Sequence, residues 1–287
     1  LVSRYGLVSF ANSIEQIGPL ARTVEDAAFI LNIISGHDPH DNTTLDNGKP
    51  DYTKDLDAGI PGKKIGIISE MIGDGIDKDV VSATNRAVSK LQRLGAECIP
   101  ISIDSAVHSV AAYYTIASAE ASSNLARYDN IRYGYNFDLE GYEFNAYISK
   151  ARSSFGPEVT RRMLLGAFVL SAGYYGKYYL KAQKVRSMIK SQLDEAFKKV
   201  DLLVAPTMPI LPFKIGEKID DPLTLYLLDI NTIIANLAGI PAISVPYELA
   251  RGLPIGIQFF ANAMQEKLLL QAAYALHKTT NLPEVPI

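Results

Sequence analysis

The spacing of apolar residues along the chain switches repeatedly between a helical and a strand period, and those switches mark out the elements. The clearest helix lies in "ARTVEDAAFILNIISGHDPHD". Val24, Ala27, Ala28, Leu31 and Ile34 recur on one face, with Thr23 placed to cap the first-turn amides and Asp26 three residues later. Gly36 stands at the stop position. The polar, turn-rich "HDPHDNTTLDNGKPDY" that follows reads as a surface loop. Beyond it, "GKKIGIIS" predicts a strand, "DKDVVSATNRAVSKLQRLG" an amphipathic helix and "AECIPIS" a second strand. Together they form a β-α-β unit, which demands parallel strands.

From 105 to 200 the pattern is mainly helical. "SAVHSVAAYYTIASAEASSNLARY" is rich in small residues, and the stretch from Pro157 to 200 reads as two helices broken near Gly173. Between them "DNIRYGYNFDLEGYEFNAY" is Tyr-rich and irregular. "DLLVAP" is a buried strand ending at Pro206, and "DPLTLYLLDINTIIANLAG" reads as one helix stopped by Gly239. "PAISVPYELARGLPIGIQFFAN" predicts two strands joined by a Gly-containing loop. The helix "MQEKLLLQAAYALHKTT" and a proline-bearing tail follow. Five or six strands with interleaved helices define an α/β architecture, a mixed β-sheet flanked by helices. No repeat and no interdomain linker is visible, so 1–287 is expected to behave as part of one domain.

Composition narrows the function. Hydrophobic residues make up 48% and charged residues 21%, an ordinary globular balance. A net charge of −3 argues against a dedicated nucleic-acid surface, which would carry a basic stripe. The apolar runs are cut by Gly and Pro short of a membrane span.

Candidate chemistry is sparse. Cys98 is the only cysteine, at the start of a predicted strand and without a histidine nearby in sequence, so a core role outweighs a catalytic thiolate. His37 and His40 have no third ligand close by and read as exposed loop histidines. Gly66, Gly73 and Gly75 do not form a dinucleotide fingerprint and are expected to flank the first strand. There is no G-x-S-x-G elbow, and Ser122–Ser123 and Ser153–Ser154 lack an oxyanion loop. Taken alone, the chain displays no complete catalytic constellation.

Five stretches in fixed order change this picture. They are "SRYGLVSFANSIEQIGPLARTVEDAAFILNIISGHDPHD", "YYTIASAEASSNLARYDNIRYG", "RRMLLGAFVLSAGYYGKYYLKAQKVR", "DLLVAPTMP" and "NLAGIPAISVPYELARGLPIGIQFF". With them the chain resembles the amidase signature family, and within it the glutamine-hydrolysing subunits of tRNA-dependent amidotransferases.

The resemblance implies the amidase fold, incomplete on its N-terminal side, with 1–287 as the C-terminal portion of a single amidase domain. It implies a Lys-Ser-Ser triad expected upstream of Leu1, so that no catalytic residue is carried by this chain and the chain alone is inactive. It implies glutamine binding by Tyr113, Arg162 and Asp229, with Arg161 as the competing arginine. A guanidinium can grip an α-carboxylate with two parallel hydrogen bonds, and an aspartate can neutralise an α-ammonium. Asp229 falls in an apolar helical pattern, where an unpaired carboxylate would be costly. Tyr113 and Tyr114 are expected to point to different helix faces, leaving one of them for the pocket. The tyrosines of "AGYYGKYYL" are expected to pack or to form an interface.

By the same resemblance, ammonia passes to a partner, the B subunit, which uses ATP and Mg²⁺ and makes most tRNA contacts. A small C subunit joins the two, and the assembly is cytoplasmic. No cofactor or metal is expected in this chain. Another amidase-signature hydrolase, or a non-catalytic scaffold, are the competing readings.

Overall fold

A computed structural model of the chain describes residues 1–46, 48, 50–134, 140–217 and 222–282. The middle of the Tyr-rich stretch, at 135–139, and the proline-bearing tail from 283 lie outside the described residues. The chain divides into two compact units, one comprising Leu1–Tyr5, Gln16–Val110 and Ser187–Ile287, the other Gly6–Glu15 and Ala111–Arg186.

The first unit is built on a mixed five-stranded sheet in the order β2-β1-β3-β5-β4. Strands β1 (Lys64–Ile68) and β2 (Glu97–Ile101) are parallel, joined through helix α2 (Lys78–Arg93) as the β-α-β pattern requires. Asp77 caps α2 by accepting from the Asp79 amide, and Val80, Ala83, Ala87, Val88 and Leu91 form its buried stripe. Strand β3 (Leu202–Pro206) is buried along its whole length, pairing parallel with β1 and antiparallel with β5 (Leu253–Ala261). Strand β4 (Ala242–Ala250) completes the sheet antiparallel to β5. Their two-residue turn, Arg251–Gly252, has φ values of +54° and +77°, the left-handed pair that matches hairpin twist. Arg251 occupies a backbone region that side chains disfavour, and its guanidinium lies 2.7 Å from Asp79.

Gly66 lies inside β1 rather than beside it. A Cβ there would come within 2.6 Å of both Ile101 and Leu203, so this glycine serves strand packing and not a phosphate. Helix α1 (Val24–Ile34) is capped as its pattern predicts, with Thr23 Oγ1 accepting from the Asp26 amide at 3.0 Å. The stop also falls where the pattern places it: Ser35, in extended backbone, is the C-cap, and Gly36, at φ +146°, follows it. Helix α9 (Glu266–His277) buries Leu269, Leu270, Ala272, Ala273 and Leu276 in the same core as Ile257 and Phe259 of β5.

The opening residues are fastened to the loop after α1. Ser3 donates to Asp38 at 2.5 Å and the Arg4 amide to Asp41 at 2.8 Å. Asp38 also receives His40, and Thr44 Oγ1 lies 3.2 Å from His37 Nδ1, so both histidines are engaged in loop contacts. The Arg4 amide, followed by the Thr43 hydroxyl, holds the Asp41 carboxyl far below the carboxylate range. The Thr53 hydroxyl and then the Asn32 amide hold Asp51 down at about 2.

The second unit is helical. It draws on α3 (Ser109–Leu125), α4 (Phe144–Arg152), α5 (Pro157–Leu170) and the first half of α6 (Tyr179–Phe197). Helix α4 begins inside the stretch expected to be irregular, and α6 begins later than expected, after turns at 171–178. Residues 6–15 lie along α3: Ala11 and Ile14 bury against Ala117, and Asn124 Nδ2 donates to the Phe10 carbonyl at 3.1 Å. Ser13 is held by Glu120 and by Arg186, which donates to its hydroxyl and carbonyl at 2.8 Å each.

Helices α3 and α5 approach so closely at Gly166 that a Cβ would sit 1.9 Å from the Ser118 carbonyl oxygen. Gly166→Ala is expected to cost about 3 kcal/mol or more, at the upper end of overpacking effects. Thermal unfolding with hydrogen exchange of α3 and α5 checks this; full retention of protection there contradicts it.

Depressed carboxylates contribute stability above their unfolded pKa near 4 and lose it as pH falls through the folded value. Urea stability is therefore expected to fall between about pH 4 and pH 2, with Asp51→Asn flattening that slope. An identical slope in the variant contradicts the assignment.

Candidate functional site

Arg162 is the centre of the second unit's polar chemistry. It lies on α5, where Glu158 precedes it by four residues and accepts its Nε at 2.8 Å. Its guanidinium carbon stands 5.1 Å from the centroid of the Tyr114 ring and 5.7 Å from that of Phe10. A planar cation set against two aromatic rings keeps its orientation at little entropic cost. The side chain is 20% exposed, whereas that of Arg161 is 47% exposed and also pairs with Glu158. The structure thus separates the two arginines: Arg161 is a surface ion-pair residue, and Arg162 is oriented from two sides.

Tyr113 and Tyr114 do not diverge as expected. Their rings meet edge to face at 5.1 Å, Tyr114 beneath Arg162 and Tyr113 against the Ala11, Ile14 and Ala117 cluster. Tyr114, Phe10 and Glu158 are contributors that the sequence did not single out. They lie 48, 152 and 4 positions from Arg162, and only the last carries a sequence signal, the helical four-residue spacing of opposite charges.

Asp229 belongs to the first unit. It does not sit in a continuous helix. The predicted helix divides into α7 (Pro222–Leu227) and α8 (Ile233–Ala238), and Asp229 is in the turn between them. Its carbonyl accepts from the Thr232 amide at 2.9 Å, the Thr232 hydroxyl at 3.0 Å and the Ile233 amide at 3.2 Å. The Thr232 hydroxyl bonds a carbonyl within the turn and the Asn231 side chain leaves it for Pro206, both uses that favour a turn over a helix interior. Gly239, at φ +66°, ends α8 as the sequence indicates.

Asn231, two residues on, is 1% exposed, and Gln258 of β5 is 3% exposed. Both donate to the carbonyl of Pro206 at the end of β3, at 3.2 and 3.1 Å, and Gln258 also donates to the Asn231 carbonyl at 2.7 Å.

Other candidates resolve as scaffold. Burial raises the Cys98 thiol above its ordinary value, the opposite of what a nucleophile requires. Ser123 and Ser153 donate back to helix carbonyls. Phe168, Tyr174 and Tyr178 pack as a ring cluster, with Phe168 and Tyr174 centroids 4.4 Å apart. Among the described residues no group of three His, Cys, Asp or Glu side chains could hold a metal ion. An open cavity of about 350 Å³ in the first unit is lined by Arg86, Ser89, Lys90, Arg93, Tyr247 and Thr279, and contains none of the expected site residues. No helix among the described residues is long and apolar enough to cross a membrane.

Residues 1–270 match the Amidase family, and the chain belongs to it. Its mixed sheet flanked by helices is the amidase arrangement. The A subunit of glutamyl-tRNA(Gln) amidotransferase from Cenarchaeum symbiosum is 56% identical over 286 residues, covering 100% of this chain and 60% of that protein. The protein of the same name from Picosynechococcus sp. is 51% identical, covering 98% of this chain and 59% of its own length. The crystal structure of the protein of that name from Thermotoga maritima superposes with a TM-score of 0.79 at 41% identity, covering 99% of this chain and 57% of that one. The chain thus spans about three-fifths of the length of the curated relatives it matches.

Glu158→Gln is expected to remove both arginine pairs while leaving the ring contacts, lowering stability by less than about 1 kcal/mol because exposed pairs are weak. In the same variant the Arg162 Nε–H resonance is expected to stay resolved, and in Tyr114→Leu to broaden. Broadening only in Glu158→Gln would show that the ion pair, not the rings, orients the guanidinium.

Proposed function

We propose that this chain is the glutamine-binding portion of the ammonia-supplying A subunit of a tRNA-dependent amidotransferase. The observation that carries the reading is identity of 56% along the whole chain to a relative of that name. The local geometry supports it. Arg162, held by Glu158, Tyr114 and Phe10, is suited to receive an α-carboxylate, and in this reading Asp229 neutralises the α-ammonium. Tyr113 completes the set with its phenol. Each of the two charges would be expensive to desolvate alone, so a zwitterion requires both signs.

In this reading, 1–287 is the C-terminal portion of an amidase domain, and the Lys-Ser-Ser triad belongs to another part of the same protein. The residues described above bind and orient glutamine, and the triad attacks its side-chain amide. The chain alone is inactive. Ammonia moves to the B subunit, which uses ATP and Mg²⁺ on a misacylated tRNA. The C subunit joins the two in a cytoplasmic heterotrimer.

In the full-length protein, Asp229→Ala and Arg162→Ala are each expected to raise the KM for glutamine about 10- to 100-fold, the loss of a charge-assisted pair. Steady-state ammonia release measures this. An unchanged KM in both variants would reject the zwitterion reading and favour an amidase acting on another amide.

A further inference from the structure

Asp229 stands on a short turn between two helices of six residues each, where its amide donates to the Tyr226 carbonyl at 3.2 Å and its carbonyl accepts from the Thr232 and Ile233 amides. These bonds shape the turn locally, and tertiary contacts attach it to the sheet. The tertiary attachment runs through Asn231, two residues on, whose side chain reaches the carbonyl oxygen of Pro206 where β3 ends. Asn231 Nδ2 reaches it at 3.2 Å and Gln258 Nε2 at 3.1 Å. Gln258 then closes the figure by donating to the Asn231 backbone carbonyl at 2.7 Å. The turn is thereby tied to the sheet through both its side chain and its main chain.

Gln258 is itself fixed, because it sits in β5 opposite Ala205 of β3 on one side and Ser244 of β4 on the other. Both amides are almost fully buried, where an unmade hydrogen bond costs more than a made one contributes. Apolar side chains at these two positions would fill the same space without that cost. Polar groups here fit a requirement for direction rather than for burial.

We propose that Asn231 and Gln258 are positioning residues for Asp229, aligning its carboxylate for the substrate's ammonium group. The inference rests on the assignment of that role to Asp229. It adds a specificity mechanism: the two amides do not touch glutamine and act only on recognition of its α-amino group.

The test compares two substrates in the full-length protein. L-glutamine carries the α-ammonium; glutaramate, the same amide with hydrogen in place of the amino group, does not. Gln258→Met keeps length and volume while removing both donated bonds. It is expected to lower kcat/KM for L-glutamine at least about tenfold, since a small misplacement of a binding group is costly, and to leave glutaramate within about twofold. Equal loss on both substrates, or no loss on either, overturns the proposal. Should Gln258→Met fail to fold, Asn231→Ser removes one donor to Pro206 and leaves Gln258 in place, with the same expectation.

Asp229→Ala is measured alongside. If it too is selective for L-glutamine while the amide variants are not, the positioning role fails and the role of Asp229 stands. If Asp229→Ala loses no selectivity, the ammonium assignment itself fails, and this inference with it.

Discussion

Strand β3 has to satisfy two different neighbours at once. On one edge it pairs parallel with β1, on the other antiparallel with β5, and residues Leu202 to Ala205 are completely buried. Each fully buried aliphatic side chain there contributes about 1.5–3 kcal/mol, so the strand's position is strongly determined. Its partners come from residues 64–68 and 253–261, so much of the first unit must be in place before the strand is paired on both sides. Pro206 then ends it with a carbonyl that the sheet leaves to the two side-chain amides. Through Asn231 the turn bearing Asp229 is tied to the end of this buried strand.

The second unit follows a different logic. Helices α3 and α5 meet closely where Gly166 lies against Ser118, and the Arg162 guanidinium is set against aromatic rings. Arg162 shows how this produces a usable cation. Glu158 engages Nε, and two rings take up a face of the guanidinium, so the group is oriented by contacts that leave its charge in place. The neighbouring Arg161 has the same local sequence and the same carboxylate partner, yet more of it is exposed to solvent. Tertiary packing, not residue type, distinguishes the two.

Much of the fold was legible because period and punctuation agreed. The Thr23 cap, the β1-α2-β2 unit, the buried run at β3, the β4–β5 hairpin and the Gly239 stop all combine a hydrophobic period with a capping or turn residue. Where only the apolar period spoke, as at 222–238, the expectation of one helix was wrong. Asp229, Asn231 and Thr232 form side-chain and main-chain bonds that a period cannot reveal. The site residues were named from family motifs, and of their surroundings only Glu158, four residues before Arg162 on the same helix, carried a sequence signal. Phe10 and Tyr114 meet Arg162 across long chain separations, and nothing in the apolar run of β5 signals what Gln258 bonds to.

A crystal structure of the full-length protein with L-glutamine, its nucleophile removed, tests the central claim most directly. The α-carboxylate is expected on the Arg162 guanidinium and the α-ammonium on the Asp229 carboxylate, each within hydrogen-bond distance. Glutamine bound with its ammonium away from Asp229, or with its carboxylate on a cation other than Arg162, would contradict it.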